Sequence, residues 1–165
     1  MRAIKWGMAT LVVCAVAFAT TTLFGEDNAA REARDTAEIE ALMWKYTRAL
    51  DSGDGATYAS TYTTDGQFGT GANATKGREA LAKLVVRQPA AGAAPRPPLY
   101  HMELNHWIEF VSKDRVRYHA YYLTVSGAMG QEMPARIVAA GQSLDTIERV
   151  NGKWLIKARD VAVKE

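Results

Sequence analysis

The stretch ERVNGKWLIKARD, Glu148–Asp160, sets the fold. Asn151-Gly152 lies between two runs of alternating apolar residues, and Asn-Gly is the pair that best tolerates the two positive φ angles of a type I′ hairpin turn. The spacing predicts strands over Ala135–Val150 and Trp154–Val163. Upstream, Leu99–Val111 and Val116–Ser126 keep a period of two, with a tight turn at Ser112–Asp114 and a longer connection at Gly127–Pro134. Before Leu99 the period is helical. Ile39, Leu42, Met43, Tyr46, Ala49 and Leu50 form one apolar stripe behind an Asp35/Glu38 capping box, and Gly53 supplies the stop. Asp54 caps a short second helix reaching about Tyr62. Thr63–Gly66 turns into a short strand near Gln67–Gly71, and Gly77–Arg87 makes a third helix that buries Ala80, Leu81, Leu84 and Val85. Helices followed by hairpin-linked strands predict an α+β domain with an antiparallel sheet.

The 165 residues, 48% of them hydrophobic, suffice for one core without disulfides or a structural metal. The only cysteine, Cys14, excludes a disulfide framework and any Cys-based metal cluster. The net charge of +2 resides in Arg2 and Lys5, so the body is neutral and lacks the basic surplus of a nucleic-acid binder. After those two charges comes an uncharged run to Gly25, with Ala17-Phe18-Ala19 as a small-x-small site. Residues 1–25 are thus expected to be a signal peptide cleaved between Ala19 and Gly25, or else an uncleaved anchor, the body's only expected tie to a membrane. On either reading residues 26–34 are a linker, and the domain, residues 35–163, is periplasmic or secreted.

The segments YTRALDSGD (Tyr46–Asp54), TDG (Thr64–Gly66), KGREAL (Lys76–Leu81), HMELNHWIEFVSKDRV (His101–Val116) and ERVNGKWLIKARD follow in an order that resembles the SnoaL-like branch of the nuclear-transport-factor-two-like superfamily, over Asp35–Val163. The resemblance implies a cone, a curved sheet wrapped around three helices, with a pocket at its wide end. Such pockets host dehydratases, isomerases, dehydrohalogenases and epoxide hydrolases, and also non-catalytic binding, so fold alone does not decide function. The dehydrochlorinase, scytalone dehydratase and bile-acid dehydratase types share an Asp ending the first helix and a His opening the first long strand, matched here by Asp51 and His101. Tyr46 matches a tyrosine of the bile-acid type. Arg159, five residues after Trp154, matches an arginine of the dehydrochlorinase type, which has Lys in place of Tyr46.

Residue chemistry gives each position a plain reading and a functional one. Asp51 is a turn cap, or it fixes the tautomer of His101. His101 is a satisfied rim histidine, or a general base. Tyr46 is core, or it protonates or hydrogen-bonds a leaving oxygen. Arg159 lies on the sheet's outer face, or inside it steadies developing negative charge. Alternation places Asn105 and Trp107 on the His101 face as substrate contacts, with Tyr122 in the pocket wall and His106 turned away. Trp44, Tyr118 and Met102 are read as core or pocket wall, and His106 and His119 as structural. No metal site is expected, because the three histidines lack carboxylate partners at ligand spacing. The expected activity is a cofactor-independent lyase or isomerase of the dehydratase kind, acting on a small, largely apolar organic molecule. The alternative is a binding module without turnover. Epoxide hydrolysis needs a second inward carboxylate. Glu103 shares the His101 parity, but nothing pairs it with Asp51. Sheet-paired relatives imply a homodimer.

Overall fold

The computed structural model describes residues 7–86, 97–127 and 134–163, with only the backbone given for 7–26. Chain contacts divide it into residues 1–38 and 39–165. The expected signal segment falls on residues outside this description, save that the backbone from Gly7 is helical.

Helix α1 runs Gly7–Ser52 without interruption. Residues 26–34, expected as a linker, are helical, and Asp35 is not a helix start, which corrects that expectation. The run AAREAR before Asp35 consists of good helix formers without proline, so the helix continues back through it and overrides the capping pattern. At its other end α1 stops as expected, with Gly53 at φ 72°. The Asp54 carboxylate then accepts the Thr57 N–H at 2.9 Å to cap α2, Gly55–Ser60.

Strand β1, Tyr62–Phe68, begins earlier than the sequence suggested. The Thr-Thr-Asp-Gly segment, which reads as a turn, is absorbed as an irregularity in strand pairing. After β2, Thr75–Lys76, and α3, Arg78–Val85, come β3 (Leu99–Ser112), β4 (Arg115–Ser126), β5 (Arg136–Val150) and β6 (Lys153–Asp160). Ala80 and Leu84 of α3 are exposed, so its buried side is Leu81 and Val85.

The six strands are ordered β2-β1-β6-β5-β4-β3. The sheet is mixed, which corrects the antiparallel expectation: β1 runs parallel to β6. The chain between them is long enough to cross over and return β6 in the direction of β1. Pairing irregularities in β1/β6, β3/β4, β4/β5 and β5/β6 bend the sheet. Its concave face shares one core with residues 39–49 of α1, with α2 and with α3: Ile39, Met43, Tyr46, Tyr58, Leu81, Val116, Tyr118, Ile147 and Ile156 are all buried. Trp44 is not core. It is 67% exposed.

The β5–β6 turn has Asn151 at φ 51° and Gly152 at φ 77°, with Val150 paired to Lys153, which is the expected type I′ hairpin. A Cβ at Gly152 meets nothing within 4 Å, so a substitution there is penalised by backbone conformation alone. Gly152→Val is expected to destabilise by about 1–2 kcal/mol, the cost of a left-handed side-chain-bearing residue. Denaturant melts check this, and an unchanged midpoint contradicts the turn.

Candidate active site

Asp51 lies in the last turn of α1, where a carboxylate is opposed by the helix dipole. Two donors from one residue hold it there: the Asp51 Oδ1 atom is 2.7 Å from His101 Nδ1 and accepts the His101 backbone N–H at 3.1 Å. Both side chains are largely buried, 12% and 22% exposed. With Nδ1–H engaged by the carboxylate, Nε2 is the nitrogen left with a lone pair.

Beyond His101 the inner face of the sheet carries charge. Arg159, 2% exposed, donates to Asp145 at 2.5 Å and to Glu103 across two further strands. Its guanidinium also lies 4.6 Å over the Tyr46 ring. Tyr46 packs against Tyr58, ring centroids 5.1 Å apart, and the Tyr58 and Tyr62 hydroxyls are 3.1 Å apart. Burial pushes the Tyr46 hydroxyl well above its ordinary value, against the pull of Arg159, so it is a neutral hydrogen-bond donor at physiological pH. Burial opposes the Arg159 charge, but Asp145, Tyr46 and Glu103 outweigh it and raise its pKa further. Asp145 is fully enclosed, and its second oxygen has no partner. Desolvation, against the attraction of Arg159, lifts its carboxyl to about 7.

A cavity of about 310 Å³ lies here, lined by the polar Tyr46, Tyr58, His101, Glu103, Tyr122, Thr124 and Arg159 and by the apolar Leu50, Phe68, Leu84, Val85, Ala139 and Val161. Asp51, His101, Tyr46, Arg159 and Tyr122 are thus brought together. Tyr122 lies directly over Gly141, the space a Cβ would fill, and donates to the Val161 carbonyl at 3.2 Å. A second depression, about 450 Å³, lies between α1 and β3 and shares His101 and Glu103 with the first.

Asn105 and Trp107 are not in the cavity. Pairing of β3 with β4 slips between Leu104 and Trp107, where Asn105 takes φ 48°. The extra residue reverses the alternation. Trp107 moves to the outer face, 60% exposed and stacked on His119, and His106 turns inward to stack on Tyr118 and meet Glu40 at 3.0 Å. Each of the three histidines has one carboxylate beside it, His119 having Glu109 at 3.3 Å. The sequence reading missed Asp145 and Tyr58. Counting from the Asn-Gly turn alone places Asp145 opposite Ala158, and a shift between Thr146 and Ile147 places it opposite Arg159 instead.

A profile of the SnoaL-like domain matches residues 31–160. The chain belongs to the SnoaL-like domain family. Similar solved structures include a putative scytalone dehydratase from Novosphingobium aromaticivorans (24% identity, 83% of this chain and 89% of that one, TM-score 0.65). Another is an NTF2-like protein with a cystatin-like fold from the same organism (22%, 84% and 87%, TM-score 0.67). A third is ActVI-ORFA from Streptomyces coelicolor (20%, 77% and 95%, TM-score 0.65). At these identities the SnoaL-like likeness is one of fold. No match was found among curated protein sequences.

The carboxyl of Asp145 yields a pH prediction. Its folded pKa lies above the ordinary value of 3.8, so the folded state holds the proton more tightly. Its stabilising contribution is full below 3.8 and is lost as pH rises to about 7. Asp145→Asn is expected to flatten the fall in melting temperature across that window relative to wild type. Parallel slopes contradict the assignment.

Proposed function

We propose that this domain is a cofactor-independent lyase or isomerase of the dehydratase kind, with His101 as general base and Asp51 as its orienting partner. One observation carries the reading: the 2.7 Å contact between Asp51 and His101 Nδ1 at the wall of a mostly apolar cavity. In this scheme His101 Nε2 takes a proton from a carbon beside an electron-withdrawing group. The C–H electron pair becomes the new double bond, and a hydroxyl on the next carbon departs with its bonding electrons. The imidazolium, stabilised by Asp51, gives its proton to that oxygen, and water leaves. In isomerisation the proton returns to a different carbon. The raised pKa of Tyr46 makes it a hydrogen-bond donor to a substrate oxygen rather than the acid that loses a proton. Proton transfer of this kind contributes about 10²–10⁴-fold, which a positioned imidazole can supply.

The substrate is a small, largely apolar organic molecule, as the balance of cavity walls supports. The basic-then-apolar N-terminus supports a periplasmic or secreted location. The exposed Tyr100, Leu104, Trp107, Tyr121 and Ile137 support pairing of two copies into a homodimer.

Asp51→Asn is expected to lose most turnover while retaining substrate binding, and His101→Ala to lose about as much. The double variant should be little worse than either, because groups acting as a unit are non-additive. Steady-state kinetics on a panel of β-hydroxy ketones checks this. Additive losses, or full turnover in His101→Ala, contradict the dyad, and saturable binding without turnover in wild type makes the domain a binding module.

A further inference from the structure

We propose that Glu103 determines specificity: the cavity selects a neutral, largely apolar molecule bearing a hydroxyl or similar hydrogen-bond donor, and rejects carboxylates and other anions. This takes its site from the functional reading above and adds the chemistry of the occupant.

Arg159 is the one permanent cation among the described lining residues, and left free it would make the cavity an anion receptor. Its charge is already met on two sides by carboxyl groups. One terminal nitrogen donates to Asp145 at 2.5 Å and the other to Glu103, while Nε is buried without a partner. A ligand carboxylate would have to share a guanidinium that two buried carboxyl groups already engage, or strand one of them, which is unfavourable.

Glu103 has the opposite status. A carboxylate has roughly four acceptor positions. Here one oxygen takes the Arg159 donor and the other only a long contact of 3.5 Å from the Ser143 hydroxyl. Glu103 lines the cavity two residues along β3 from His101, before the slip at Leu104, so both share the inner face. The cavity thus presents, two residues from the proposed base, a carboxylate held in place by Arg159 and with acceptor positions to spare. A donor on the ligand gains a charge-assisted bond, a ligand without one leaves Glu103 desolvated, and an anion is repelled.

The test is calorimetric titration of the full chain at near-neutral pH with 2-naphthol, 2-methoxynaphthalene and 2-naphthoate, three probes that share one apolar naphthalene body. Wild type is expected to bind naphthol at least about tenfold more tightly than the methoxy analogue, the effect of one hydrogen bond to a charged group, and to show no naphthoate binding. In Glu103→Gln the naphthol preference should shrink and naphthoate should bind, because Arg159 loses one charged partner. If that variant does not fold, the wild-type ranking decides alone. Equal affinity for naphthol and its methyl ether, naphthoate binding to wild type, or no binding of any probe overturns the proposal. His101→Gln should keep the ranking. Ranking without turnover thus removes the lyase reading and leaves Glu103 as the selector, whereas turnover without ranking does the reverse.

Discussion

The inner face of the sheet is organised around a buried guanidinium. Taking Arg159 out of water is costly and is tolerated because Asp145 and Glu103 meet it on two sides and Tyr46 on a third. That requirement ties β3, β5 and β6 together at the cavity and brings α1 against them. Removing one partner from such a cluster typically costs 3–5 kcal/mol, because a charge is then stranded. Glu103 is fixed by this cluster, and His101 two residues away is carried with it to the end of α1.

Asp51 sits where the helix dipole disfavours a carboxylate, at a typical cost of about 0.3–1 kcal/mol. Two bonds from His101, one from the ring and one from the backbone, offset that placement. The same pair of bonds fixes the distance between helix and strand and the orientation of the ring, so packing and chemistry rest on one contact. To the cavity behind it β3 contributes His101 and Glu103, β6 contributes Arg159 and α3 contributes Leu84 and Val85.

Periodicity was enough to read the order of helices and strands, because each element keeps its period over most of its length. Asn151-Gly152 set one hairpin register correctly, since the two positive φ angles admit few other residues. The helical run before Asp35 was misread because a capping pattern is local, whereas helix propensity on both sides decides whether the helix actually starts there. The parallel β1–β6 pair was not legible, since nothing local to either strand records which neighbour it joins. At the site, Asp51, His101 and Tyr46 were legible through the family pattern. Asn105, Trp107 and Asp145 were misplaced or missed for a single reason: each lies at or past an irregularity that shifts alternation by one residue.

The most direct test of the central claim, that Asp51 orients His101, is the ring tautomer of His101 in solution, read from long-range proton–nitrogen NMR correlations. The account predicts a neutral ring with the proton on Nδ1 and a bare Nε2 in the wild-type protein, and a changed pattern in Asp51→Asn. A ring protonated on Nε2, or identical spectra in the two proteins, would contradict it.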